Sequence, residues 1–262
     1  MRQRKRKTKK AKTVRISNLV FDAKMGRGNK SNGKIVDVPL SNKKSLGTRA
    51  TKGNIGFHYQ KYANLNSFIN KIHLKNLSKD CFFIDLICIN NKITPIYPKN
   101  LYRDLTDLIE MKIGKKQFTA IVINITTSDG NHANIGLINN RNQTIEYFEP
   151  HGHRKNKNSE IEGHKGIYNQ KAKLLKDVFN KLLPDHTFLN VTEYNKKTSF
   201  QTLLDPDENS GFCVIWCILF IHYRLLNPHI LLSRLITHID KTITTPKLLR
   251  YAKFVEETVK KI

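Results

Sequence analysis

Three short apolar runs in the middle of the chain set the first expectations. Residues 118–125, 133–138 and 144–148 are rich in β-branched and aromatic side chains, which fit a pleated, half-buried surface, and they predict strands. Asn139-Asn140-Arg141-Asn142 between the last two is turn material and predicts a hairpin. The run from Cys81 to Ile89 predicts another strand, and 186–194 a further one. Helical spacing appears on either side. Residues 56–77, 102–111 and 170–183 repeat apolar positions at three and four, and Pro184 stops the last of them. The polar stretch 152–166 predicts a surface loop. Beyond residue 211 the chain predicts three helices: 212–226 closed by Asn227-Pro228, 229–239, and one from Thr245 as N-cap with Pro246 at the first helical position, through Val259. Strands in the centre with helices on both sides imply an α+β fold.

Charge changes the picture at one end. The chain of 262 residues carries 46 Lys and Arg against 21 Asp and Glu, a net +25. Residues 1–50 hold sixteen of the basic residues and two acids, and the first fifteen hold nine basic residues and no acid. Such a block repels itself and cannot build a core, so residues 1–55 are expected to form a basic, loosely ordered extension. DNA or RNA is the candidate partner for this arm, with an anionic membrane surface or nuclear targeting as other uses of the same charge. Residues 56–262 are then the folded domain, with 56–115 a possible accessory helical lobe. No secretory leader is legible, and the longest apolar run, 214–221, falls far short of the roughly 20 residues of a membrane span. The four cysteines, Cys81, Cys88, Cys213 and Cys217, form no CxxC pair and suggest neither a disulfide framework nor a zinc site. Cys88 reads as a core thiol.

The candidate chemistry starts from the hairpin. A turn centred on Asn140-Arg141 sets His132 directly across from Glu149, close enough for a base and the carboxylate that orients it. Glu146 falls on the opposite face and is the weaker candidate. Cys213 sits at the start of an apolar helix behind Ser210-Gly211-Phe212, where unpaired N–H groups favour a thiolate. Cys217 lies one turn deeper and reads as packing, as does Trp216. Taken alone, these residues also fit a surface His–Glu pair and a structural cysteine.

The stretches HANIGLINNRNQTIEYFEPHG (132–152) and GFCVIWCILFIHYRLLNP (211–228) resemble the Ulp1-like and adenain-like cysteine peptidases, especially those of large DNA viruses. The resemblance spans about residues 118–228 and implies a papain-like α+β core of the Ulp1/adenain type, a central sheet flanked by helices. It implies His132 as general base, Glu149 as orienting acid, Cys213 as nucleophile and Gln201 as oxyanion donor, with Asn209 as the alternative donor and His151 and His153 in a nearby loop. The chain departs from the family pattern in three places. Ala133 replaces the Trp common after the His, Val214 the Gly common after the Cys, and Asp207 the Gln common six residues before the Cys. The implied activity is a cysteine-type endopeptidase, without metal or organic cofactor, that cuts after small residues and matures viral structural precursors in the virion or host cytoplasm, with the nucleus a further location. Removal of ubiquitin-like modifiers of the SUMO type is the second reading. A non-enzymatic, basic nucleic-acid-binding structural protein is the third.

Overall fold

Alternation along the central strands sorts their side chains onto two faces, and each face is covered by helix. In the computed structural model the described residues are 33–42, 82–89, 92–95, 117–127, 130–150, 162–194, 200 and 212–260. Six strands form one mixed sheet: β1 (Phe82–Ile89), β2 (Lys92–Pro95), β3 (Phe118–Thr127), β4 (Gly130–Asn139), β5 (Thr144–Phe148) and β6 (Thr187–Asn190). Their spatial order is β2-β1-β3-β4-β5-β6. β3, β4 and β5 pair as an antiparallel meander, while β1 joins β3 and β6 joins β5 in parallel. Thr144–Phe148 and the start of β3 fall where the sequence predicts them. β2 was not anticipated, because four residues are too few for a periodicity to register.

On β3, Phe118, Ala120 and Val122 join Ala133, Ile135, Leu137 and Phe148 in one core; Ile121, Ile123 and Ile125 join Ile138, Ile145 and Tyr147 in another. The second core is closed by Leu175, Val178 and Phe179 of α1 (Glu162–Leu182). Gly136 faces that helix, and a side chain there would begin 3.6 Å from Phe179. The first core is closed by α2 (Cys213–Leu226), α3 (Leu232–Thr242) and α4 (Thr245–Lys260). α2 is buried from Cys213 through Leu225, as a helix apolar on all sides must be. α3 and α4 each bury one stripe: Leu232, Leu235, Ile236 and Ile239 in the former, Leu248, Tyr251, Ala252 and Val255 in the latter.

Several expectations change in detail. Residues 162–166 are the first turn of α1 rather than part of a loop. The strand expected over 186–194 is only four residues long and continues as a 3-10 turn, Val191–Tyr194. α3 begins at Leu232, three residues later than expected. The N–H of Leu248 bonds to the carbonyl of Thr244, so Thr244, not Thr245, caps α4. The helices expected over 56–77 and 102–111 lie outside the described residues.

Part of the region expected as a loose extension is built into the body. Lys34–Ile262 form one compact unit, and residues 34–41 run extended against α2, α3 and α4. Val38 is buried in the first core. The Asn227 side chain brackets Val36, accepting from its N–H (2.8 Å) and donating to its carbonyl (2.9 Å). Asp37 takes the Tyr223 hydroxyl and the His238 ring, and Arg250 donates to the Ser41 carbonyl. The apolar patch Ile35-Val36-Asp37-Val38-Pro39-Leu40 is too short to outweigh the surrounding charge in a sequence reading. We expect deletion of residues 1–32 to leave the urea midpoint unchanged and deletion of 1–42 to cost on the order of 3 kcal/mol, from lost burial of Val38 and the exposed partners of Asn227. Equal midpoints for the two truncations would show the strap to be energetically idle.

Candidate active site

The β4–β5 ladder runs from the Asn139–Thr144 pair to the Ile135–Phe148 pair. Two residues further along β4, the main chain of Ala133 meets α2 instead. Its N–H donates to the Cys213 sulfur, and its carbonyl accepts from the Cys217 thiol at 3.5 Å. The main chain of β4 thereby holds both cysteine side chains of α2. Phe212 caps that helix without a side-chain hydrogen bond, and no acid occupies the first turn. The N–H groups and positive helix end therefore favour a Cys213 thiolate with no acid of the helix's own first turn against them, although the Glu149 carboxylate nearby opposes it.

His132 bonds on one side to Cys213 and, through Nε2, to Oε1 of Glu149. The hairpin register differs from the sequence expectation. Residues 140–143 form a four-residue loop, with Gln143 at φ 51°, and the centre moves to Arg141-Asn142. Continuing the ladder one step sets Glu149 opposite Asn134, not His132. A two-residue shift preserves the face, so Glu149 still reaches His132, now diagonally. The His132 side chain is 12% exposed and that of Glu149 4%.

The electrostatics divide the two cysteines. Burial opposes ionisation of Cys213, but the bond to His132, its positive charge and the Ala133 N–H together hold the thiol below its ordinary value. Burial pushes Cys217 well above it, and the neighbouring Cys213 and Glu149 add to the effect. Burial also disfavours charge on His132, yet the Glu149 carboxylate and the bond to Cys213 outweigh it and raise the imidazole to about 9. The arrangement favours a thiolate beside an imidazolium, with a carboxylate behind it. Cys213 and Cys217 are both free thiols.

Glu146 faces away from this cluster, as parity requires, but it is not at the surface. It forms a buried two-point ion pair with Arg224 of α2, at 2.7 and 2.9 Å. Trp216 packs in the core against Phe200. Gln201, Asn209, His151 and His153 lie outside the described residues. Among the described residues no cluster of three His, Cys, Asp or Glu side chains could hold a metal, and no helix is long and apolar enough to cross a membrane.

The residue that sequence reading missed is Asn134. It is fully buried, and its amide nitrogen donates to both oxygens of Glu149, since the opposite orientation would set oxygen against oxygen. A polar residue two positions from His132, inside the otherwise apolar run 133–138, was the available signal.

No family model matches the chain. Over 178 residues it is 26% identical to an ankyrin repeat protein of Acanthamoeba polyphaga mimivirus; the match takes in 62% of this chain and 22% of the mimivirus protein. Two solved structures show distant overall similarity. Similarity to the Chlamydia trachomatis effector protein ChlaDUB1 has a TM-score of 0.43 at 11% identity and covers 86% of this chain and 96% of the other. Similarity to the SUMO protease Ulp1, solved with its catalytic cysteine oxidized to a sulfinic acid, has a TM-score of 0.36 at 14% identity and covers 87% and 100%.

Proposed function

We propose that this chain is a cysteine peptidase in which Cys213 is the nucleophile, His132 the base and Glu149 the acid that orients it. The observation that carries the reading is the hydrogen-bonded series Cys213–His132–Glu149 at the N-terminus of a buried helix. With Nε2 on Glu149, the other ring nitrogen is left for the sulfur. The Cys213 thiolate attacks the scissile carbonyl, and the carbonyl π electrons move to oxygen. N–H groups at the start of α2, with Gln201 as the further donor, stabilise that oxyanion. Collapse breaks the C–N bond as His132 gives its proton to the leaving amine. Water, deprotonated by His132, then attacks the thioester and releases the acid and the thiol.

The substrate proposed is a polypeptide cut after a small residue, a viral structural precursor, with cleavage in the virion or infected cytoplasm. The test is intact-mass analysis after exposure to a Gly-Gly-ended peptide carrying an electrophile at its C-terminus. We expect one adduct on wild type at Cys213, none on Cys213→Ala, and Cys217 unmodified. No adduct on folded wild type, together with strong salt-dependent nucleic-acid binding, would favour a basic structural protein instead. Cleavage of a SUMO-type conjugate but not of precursor protein would move the reading to an isopeptidase.

A further inference from the structure

The Glu149 carboxylate has two oxygens and stands against an imidazole that uses one of them. A carboxylate pivoting about its terminal bond could present either oxygen, or take the proton from the ring it is meant to support. Two features oppose this. The first is register: past the Ile135–Phe148 pair, Asn134 occupies the position opposite Glu149 on the neighbouring strand, so their Cβ atoms face one another. The second is the amide itself. It is fully buried, with its nitrogen on Oε2 of Glu149 and 3.1 Å from Oε1, and the Tyr147 hydroxyl meets the same end of the amide at 3.4 Å. A buried amide has to satisfy its hydrogens, and here the carboxylate is what it meets.

We propose that Asn134 is a positioning residue: its amide nitrogen locks the Glu149 carboxylate in the rotation that keeps Oε1 on His132 Nε2 and keeps the shared proton on the imidazole. The inference rests on the peptidase reading for its consequence in turnover, but its geometry is independent of it. A donor on Oε2 stabilises the ionised carboxylate, which a buried glutamate otherwise resists. With the carboxylate held charged, the proton between the two groups stays on His132, and His132 in turn supports the Cys213 thiolate. Without the donor, transfer to Glu149 yields a neutral pair, and the thiolate loses its counter-ion. Among the described residues, the titratable groups around Glu149 are His132 on β4, Cys213 and Cys217 on α2, and Tyr147 on β5.

The test reads the thiolate directly. The rate of iodoacetamide addition to Cys213 is followed by intact mass from acid to alkaline pH in wild type, Asn134→Leu and Asn134→Asp, with cleavage of a peptide substrate measured in parallel. Asn134→Leu removes the donor at every pH, and we expect addition at neutral pH to slow about tenfold and the profile to move towards alkali. Asn134→Asp is nearly isosteric. It can donate only while one of the two facing carboxyls is protonated, so it should keep near wild-type reactivity at acid pH and lose it as pH rises. A residue that merely packs would give no such separation between two folded variants. If both variants retain the circular dichroism of wild type and its alkylation profile, the proposal is overturned; should Asn134→Leu not fold, the profile of Asn134→Asp decides alone. Should wild type cleave no peptide, the peptidase reading fails while the alkylation profiles still decide the role of Asn134.

Discussion

Turnover should fall on the order of 10⁴-fold or more in Cys213→Ala and nearly as far in His132→Ala, because the nucleophile and its base act as one unit. Glu149→Gln should cost about 10-fold to 10³-fold: it keeps the shape but removes the charge that supports the imidazolium. The pH dependence follows from the two shifts. Cys213 is held below its ordinary value, so the thiolate persists towards acid and is lost as pH falls through that lowered value. His132 is raised to about 9, so the imidazolium is lost as pH rises through about 9. Peptide-cleavage rates should therefore describe a bell whose alkaline limb lies near 9, and alkylation of Cys213 in His132→Ala should need a higher pH than in wild type. The His132 shift has the same sign in stability: its contribution is complete below about 6.5, the value of the unfolded chain, and disappears through about 9. Wild-type turnover in folded Cys213→Ala would end the assignment of the nucleophile.

The largest loss of stability should come from a residue that does no chemistry. Glu146→Leu or Arg224→Met, each alone, should lower the unfolding free energy by about 3–5 kcal/mol, because each leaves its partner charged and buried. Arg224 has no slack: beyond the two bonds to Glu146, it donates to the carbonyls of Asn227 and Ile230 at 2.9 and 3.0 Å. Glu146 stands outside the Cys213–His132–Glu149 series, yet its carboxylate bonds β5 to the helix that carries Cys213. The double variant Glu146→Leu/Arg224→Met should be less damaging than the sum of its parts, because removing both charges leaves none unpaired. Urea unfolding of the four proteins measures this. Two independent losses below 1 kcal/mol each would mean that water reaches the pair.

The strands β3 to β5 and the face on which each of their residues falls were legible in the sequence, because both follow from local alternation: a side chain's face depends only on counting by two. That count placed Glu149 with His132 and turned Glu146 away, and it survived an error in the turn because the slip was even. The position of Cys213 at the head of α2 was likewise legible, from the small and polar residues before the apolar run. Register itself was not. It depends on a four-residue loop in which Gln143 takes a left-handed conformation, and glutamine does not advertise that as glycine would. The parallel neighbours of β3 and β5, the strap at 34–41 and the Glu146–Arg224 pair were hidden for a common reason. They join segments far apart in the chain, and no local pattern records which distant partner will satisfy a buried charge or cover an apolar edge. Asn134 belongs with them: its polarity was visible in the sequence, but its partner was set by a register that only the folded hairpin decides.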